Sequence, residues 1–278
     1  MKTTLTALFL LVALSFQAQT SAELNTKGIE WAQKGDLKKA FELFNQAIVT
    51  DPNFSSAYSN RGHVYRQQGQ LELAISDYSK SYELYPNTQL LYARANTYMD
   101  MEQFDKAQAD YTAIIKIEPS FSDIYFDRAY SYIMQKKYQE AMRDMEKQLE
   151  LTPKDFKSLA NLINLKKQLD LKEEALADYE RLLKDFPDAE DLHIVYNNRA
   201  NLFTDLKQLD KALADINKAL EIKPDYDLGY LNRAEIYQKM GNKAKACENF
   251  KKAQELKVET NRHFEADEDY LAVKKLCN

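Results

Sequence analysis

The six prolines of the chain, Pro52, Pro86, Pro119, Pro153, Pro187 and Pro224, are separated by 34, 33, 34, 34 and 37 residues. A fixed period in this range marks a repeat protein, in which each copy cannot bury its apolar face alone. Proline has no backbone N–H and its ring clashes with the preceding turn, so it ends helices. Six regular stops imply six copies of one unit. An alanine stands twelve residues before each proline: Ala40, Ala74, Ala107, Ala141, Ala175 and Ala212. A seventh copy, without its proline, has the same pattern around Ala246.

Other positions recur in register. Four residues after that alanine stands Phe44, Tyr78, Tyr111, Met145, Tyr179, Ile216 or Phe250. Each unit opens on Leu24, Tyr58, Leu91, Tyr125, Leu159, Tyr196 or Tyr230. Four residues on, a small residue usually follows: Gly28, Gly62, Ala95, Ala129, Ala200 or Ala234. Three further comes an aromatic: Trp31, Tyr65, Tyr98, Tyr132, Phe203 or Tyr237. Offsets of 3, 4 and 7 place these side chains on one helical face. The small residues let helices approach closely and the aromatics fill the gaps between them. Six glycines and six prolines in 278 residues are about 4%, a third of the usual share, which excludes collagen and argues against a turn-rich all-β fold. Gly35, Gly69 and Gly241 fall midway through their units, where a tight turn needs a permissive backbone. Gly28 and Gly62 are close-contact positions, and Gly229 has no place in this scheme.

This constellation resembles the tetratricopeptide repeat, a helix–turn–helix unit of 34 residues. The resemblance implies an all-α chain: a right-handed superhelical solenoid of seven repeats with a C-terminal capping helix. The repeats run over 21–54, 55–87, 88–121, 122–155, 156–192, 193–226 and 227–260. The fifth departs most, with Ile163 for the small residue, Lys166 for the aromatic and three extra residues within Asp188-Ala189-Glu190-Asp191-Leu192. Altered packing is expected there. Residues 261–278 leave the pattern. Asp267-Glu268-Asp269 precede Tyr270, Leu271, Val273 and Leu276, with Lys274-Lys275 near the end. Acidic residues at a helix start and basic ones at its end suit the helix dipole, so this segment reads as a cap over the last repeat.

Met1-Lys2-Thr3-Thr4 is followed by an apolar run from Leu5 to Phe16 and then small residues. One positive charge, a short apolar core and small residues after it match a secretory leader over residues 1–20. The run is too short for a bilayer span, which needs about 20 apolar residues. The other reading is a buried first helix of the fold. With the leader removed, the mature chain is expected to carry no transmembrane segment and to work in the periplasm or outside the cell. An oxidising compartment permits Cys247 and Cys277 to bond and fasten the cap. A loop of that size is worth roughly 3–4 kcal/mol on the chain-entropy estimate. Two reduced, packed thiols are the alternative.

No metal, cofactor or catalytic constellation is visible. His63, His193 and His263 are isolated, and HExxH, EF-hand, phosphate-cradling and GxSxG patterns are missing. The net charge of −5 gives no support to nucleic-acid binding, which needs a concentrated basic surface. One charged pattern recurs. Arg61, Arg94, Arg128, Arg199 and Arg233 precede the small position, and Asp77, Asp110, Asp144, Asp178 and Asp215 precede the second-helix apolar position. Fixed registers in a packed array suggest partly buried Arg–Asp pairs. The pairs lie within a unit or bridge to the next; counting gives four pairs and two leftovers either way.

In the family, the first helices of successive units line a concave groove. Transferred here, that stripe is rich in asparagine: Asn25, Asn60, Asn96, Asn161, Asn164, Asn197, Asn198, Asn201 and Asn232. An uncharged amide both donates and accepts, so a row of them suits the backbone of an extended peptide. His63, Tyr92, Phe126 and Tyr130 interrupt the row as candidate grips for side chains. Some family members clamp acidic chaperone tails through lysines and asparagines, and the matching lysines are missing here. The expected function is a non-enzymatic scaffold for a protein or extended peptide. A structural subunit of an envelope complex, using its convex face or ends, is the alternative. Partner and oligomeric state are not written in the sequence.

Overall fold

The structure is a computed structural model that describes residues 19–121, 123–256, 258 and 268–278. The leader expected over residues 1–20 lies outside the described residues as far as position 18. Regular structure among the described residues is entirely helical, in fifteen helices. They form two compact units that divide between Phe121 and Ser122. The first unit holds α1 (Ser21–Gln33), α2 (Leu37–Thr50), α3 (Ser55–Gln67), α4 (Leu71–Leu84), α5 (Thr88–Asp100) and α6 (Phe104–Ile117). The second holds α7 (Ile124–Met134), α8 (Tyr138–Leu151), α9 (Phe156–Gln168), α10 (Lys172–Asp185) and α11 (Leu192–Asp205). It continues with α12 (Leu209–Ile222), α13 (Asp227–Lys239), α14 (Lys243–Glu255) and α15 (Glu268–Cys277). Within each unit, an odd-numbered helix and the next form a hairpin, and hairpins stack on their neighbours.

Local chemistry sets the helix ends. Thr20 and Glu23 make a reciprocal capping box at the start of α1. Asp36, Asn87 and Asp155 accept N–H groups of the first turns of α2, α5 and α9. Each hairpin turns through one residue with positive φ. Gly35, Gly69 and Gly241 take this role, as their positions imply, and Glu102, Lys136, Asp170 and Lys207 take it in the other four hairpins at φ of 56 to 59°. The geometry is therefore common to all seven turns, and glycine is used in three.

The seven spaced alanines, Ala40 to Ala246, are fully buried at 0% exposure. Ala141 shares a buried cluster with the small residue Ala129, and Ala212 shares one with Ala200. A side chain on Gly62 would come within 2.9 Å of the Tyr78 ring, and one on Gly28 would overlap Phe44. Gly229, without a place in the sequence scheme, has the same kind of role: a Cβ there would lie 2.7 Å from Tyr226 and 2.9 Å from Leu220.

The Arg–Asp pairs lie within their own hairpins, sixteen residues apart. Arg61–Asp77, Arg94–Asp110, Arg128–Asp144 and Arg199–Asp215 each make two parallel bonds of 2.6–2.8 Å from Nε and Nη2. The hydrogen bonds to Asp77 and Asp110 outweigh the desolvation of Arg61 and Arg94 and raise the pKa of each guanidinium. Nη1 of Arg61 reaches back to Asn45, and Nη1 of Arg94 to Ser79, each on the preceding hairpin. The two leftovers are also satisfied. Arg233 donates to Asn249 and Asn217, and Asp178 accepts from Lys166 Nζ at 2.6 Å. Lys166, the departure from the aromatic pattern, thus replaces the absent arginine of the fifth repeat.

The last helix, α15, packs on α13 and α14. Tyr270 and Val273 are buried with Leu231, Phe250 and Val258. Glu268 and Asp269 stand in its first turn and Lys274 and Lys275 in its last, as the helix dipole favours. Lys239 on α13 bonds Asp269 at 2.6 Å, and a disulfide joins Cys247 on α14 to Cys277.

Candidate peptide-binding surfaces

In the first unit, α1, α3 and α5 line a cleft of ≈ 560 Å³. Its walls carry Asn25 and Ile29 from α1, Ser59, Asn60, His63 and Arg66 from α3, and Tyr92 and Asn96 from α5, with Tyr85 and Asn87 at one end. Helical spacing explains the set: Ser56, Ser59, Asn60 and His63 recur every three or four residues on α3 and so share a face. The amides also bond one another and the second helices. Asn60 Nδ2 donates to Asn25 Oδ1 across the repeat boundary at 2.8 Å. The Tyr111 hydroxyl donates to Asn96 Oδ1 at 2.7 Å. His63 Nδ1 and the Tyr78 hydroxyl share a hydrogen bond of 2.9 Å. Burial pushes the Tyr78 hydroxyl well above its ordinary pKa. His63 keeps an exposed edge, but the atoms crowding its ring desolvate it, and the charge of Arg66 adds to this, so its pKa is lowered. This favours the neutral imidazole. Arg66 is held by Asp100, Nε to Oδ2, at 2.6 Å. The cleft can recognise a ligand by neutral hydrogen bonding and shape, with little net charge.

The second unit has two smaller recesses. A slot of ≈ 170 Å³ lies between α9 and α11, with Phe156, Ala160, Ile163, Tyr179, Leu182 and Val195 around it and Asn164, Asn198, Asp191 and Ile194 at its mouth. Burial pushes the Tyr179 hydroxyl up to about 12, against the opposing charge of Arg199. Between α11, α13 and the start of α15 lies a polar cleft of ≈ 280 Å³ with Asn201, Thr204, Asp205, Asn232, Glu235 and Asp269 on its walls. Asn232 is buried and donates to Asn197 Oδ1 at 2.7 Å, the counterpart of the Asn60–Asn25 bond thirty-five residues apart in sequence. No group of three or more His, Cys, Asp or Glu able to hold a metal occurs among the described residues.

Models of the tetratricopeptide repeat match residues 55–88 and 193–226, residues 92–156 and residues 229–257, and a further repeat model of the group matches 30–69. The chain belongs to the tetratricopeptide repeat family. A crystal structure of a tetratricopeptide repeat protein from Parabacteroides merdae superposes with a TM-score of 0.57 at 25% identity, over 92% of this chain and 97% of that one. The C-terminal part of a repeat protein from Cytophaga hutchinsonii superposes with a TM-score of 0.72 over 89% of this chain and 98% of that one. At 17% identity that likeness concerns the fold alone. Among curated relatives, the DnaJ homolog subfamily C member 7 homolog of Dictyostelium discoideum is 24% identical over 180 residues, 59% of this chain and 32% of that protein. DnaJ homolog subfamily C member 7 of Mus musculus is 37% identical over 91 residues, 31% of this chain and 18% of that protein. The chain thus spans a third or less of the length of these relatives.

Tetratricopeptide geometry brings part of the asparagine stripe together. Asn60, His63, Tyr92 and Asn96 share the cleft of the first unit. Asn164 and Asn198 share the slot, and Asn201 and Asn232 the polar cleft. Asn161 donates to the Lys157 carbonyl of its own helix. Phe126 packs against the core of the second unit and Tyr130 is exposed; neither lines these recesses. The stripe also differs from a row of open amides, because Asn25–Asn60 and Asn197–Asn232 fasten neighbouring first helices. Ile29, Arg66, Tyr85, Ile194, Asp205 and Glu235 line the recesses and were not singled out from sequence. Ile29, Asp205 and Glu235 each stand three or four residues from a stripe asparagine, the available signal for them.

No helix among the described residues is long and apolar enough to cross a membrane.

Proposed function

We propose that the chain is a non-enzymatic scaffold that holds a protein or extended peptide against the first helices of its repeats, in a periplasmic or extracellular compartment. The observation that carries this is the ≈ 560 Å³ cleft whose walls combine amides, hydroxyls and the His63 imidazole with apolar groups such as Ile29 and with Arg66, which is held by Asp100. Such a lining meets the alternating N–H and C=O groups of an extended backbone and contains no activated nucleophile or acid–base pair. Membership of a repeat family whose units stack into long faces supports the same role. The leader-like run from Leu5 to Phe16 and the Cys247–Cys277 disulfide support export.

The test is photo-crosslinking in the native cell from an unnatural residue at Tyr92, inside the cleft, and at Val49 on α2, which is 82% exposed. A partner band from position 92 and none from 49, in the extracytoplasmic fraction, is the expected result. Bands from position 49 alone would transfer the function to the outer face, and a purely cytoplasmic chain would remove the export.

A further inference from the structure

We propose that the cleft of the first unit binds a proline-rich polypeptide segment in the polyproline II conformation, its carbonyls accepting hydrogen bonds from Asn25, His63, Arg66 and Asn96 and a proline ring lying on Tyr85. This rests on the scaffold reading and adds the chemistry of the bound segment. Once the bonds within the chain are made, the cleft keeps more donors than acceptors. Asn25 Oδ1 is taken by Asn60, and Asn96 Oδ1 by the Tyr111 hydroxyl. Arg66 gives its Nε to Asp100. Asn25 Nδ2, Asn96 Nδ2 and both Nη groups of Arg66 have no hydrogen-bond partner among the described residues. Asn25 is only 7% exposed and lines the cleft, so its unpaired amide is open to a ligand there and to little else.

His63 adds a further donor, and Tyr78 decides which ring nitrogen carries it. Tyr78 is fully buried, and burial holds its proton. The partner of its hydroxyl among the described residues is His63 Nδ1, at 2.9 Å. A hydrogen on Nδ1 would leave the phenolic hydrogen buried without an acceptor, at the full desolvation cost of that group. The hydroxyl therefore donates, Nδ1 accepts, and neutral His63 carries its hydrogen on Nε2, the nitrogen left for a ligand. Against these donors stand Asn60 Oδ1 and the hydroxyls of Ser56 and Ser59, which can act either way.

A donor-rich wall selects a ligand by what the ligand lacks. The N–H groups of an ordinary extended segment find few acceptors here, and each one buried unpaired weakens binding. Proline has no N–H. A polyproline II segment keeps its carbonyls free of internal bonds and arrives already ordered. An anion also offers only acceptors, but Arg66, the one cation of the lining, already holds Asp100. Desolvation lowers the pKa of His63, so a carboxylate gains little from charge at this site. Proline rings also need flat apolar surfaces, and aromatic-lined grooves supply them in proline-rich recognition. Tyr85, at one end of the cleft, is 68% exposed, and Ile29 on the α1 wall is 36% exposed. One segment therefore satisfies both the donors and the apolar rim.

The experiment titrates fluorescein-labelled peptides of equal length with the full-length, disulfide-bonded chain and reads anisotropy. The probes are oligoproline, an alternating alanine–serine peptide and oligoglutamate. Oligoproline is expected to bind about tenfold or more tightly than either of the others. Tyr85→Ala, at an exposed position, and His63→Leu are each expected to weaken it several-fold. The probe exchange uses the unaltered chain, so a folding failure of either variant leaves the test intact. The side-chain ¹⁵N spectrum of His63, assigned by its loss in His63→Leu, is expected to show the hydrogen on Nε2. A hydrogen on Nδ1 would overturn the proposal. So would an alanine–serine or glutamate probe that binds as well as oligoproline, or oligoproline binding that neither variant changes. Failure of every probe would overturn it too, and the scaffold reading would survive on a crosslink from position 92. Loss of that crosslink as well would remove both.

Discussion

The third and fifth repeats build the same hairpin from different side chains. On α5 the third repeat presents Arg94, Ala95 and Tyr98; sixty-eight residues on, α9 presents Leu162, Ile163 and Lys166. The second helices place Asp110 and Asp178 at the same register. In the third repeat Arg94 answers Asp110 with two bonds of 2.8 Å. In the fifth, Leu162 is buried where the arginine would be, and the cation comes from Lys166, one turn further along. A lysine has no planar fork, so the bidentate pair becomes one short contact, with Glu174 at 3.8 Å as a second neighbour. The hairpin therefore requires a cation for the second-helix aspartate, and its position along the first helix is negotiable. The seventh repeat makes the converse change: Arg233 stays and its acceptor becomes Asn249.

Exchanging the small position between the two repeats breaks the comparison most severely. Ile163 is 1% exposed, so Ile163→Ala leaves a cavity and is expected to destabilise by about 3 kcal/mol. Ala95 is fully buried in a space made for a methyl group, and Ala95→Ile is expected to cost about 2 kcal/mol through overpacking. Urea melts of the two variants check both. Loss in neither would mean that this position does not set the helix separation.

The ion pair comes next. Asp178→Ala leaves Lys166, with a side chain only 11% exposed, without its main partner. Complete burial would make this worth about 3–5 kcal/mol; solvent contact and Glu174 reduce the expectation to about 2 kcal/mol. The double change Lys166→Met with Asp178→Leu should recover most of the loss, because the desolvation of both charges disappears with them. If the double variant is as unstable as the single one, Lys166 does not stand in for the arginine, and the fifth repeat is simply defective.

These contrasts show what a single sequence can reveal. The helix–turn–helix repeat was legible because proline and the buried alanine act locally, through helix termination and close packing. The registers of Arg94 and Asp110 were legible as a pattern, but the choice between bonds within a hairpin and bonds between hairpins needed the distance between helices. The same holds for asparagine. Asn25 and Asn60 stand one place apart in the repeat frame and read as parallel amides facing a ligand, whereas the stacking of the hairpins brings them to 2.8 Å of each other. Lys166 looked like a loss of the aromatic because Asp178, twelve residues on, was read only within the Arg–Asp register, as a leftover or as the partner of an arginine in the next unit. The slot was invisible, since a cavity is written in what neighbouring side chains fail to fill.

The turns give the smallest test. The third repeat turns through Glu102 and the fifth through Asp170, at φ of 56 and 59°; the second uses Gly69 at 73°. A left-handed residue other than glycine is strained by roughly 1–2 kcal/mol, offset in part by the larger entropy that glycine loses on folding. Glu102→Gly is therefore expected to stabilise by about 0.5–1 kcal/mol, seen as a rise in Tm of about 1–3 °C. Asp170→Gly should gain less, because aspartate tolerates this conformation and Asp170 also loses its contact with Lys172 at 3.3 Å. The reverse change, Gly69→Ala, meets no neighbouring atom within 4 Å, so its cost of about 1 kcal/mol is backbone strain alone. A Gly69→Ala chain as stable as the original would show that these turns relax freely. The difference between repeats would then lie wholly in the packing of their helices.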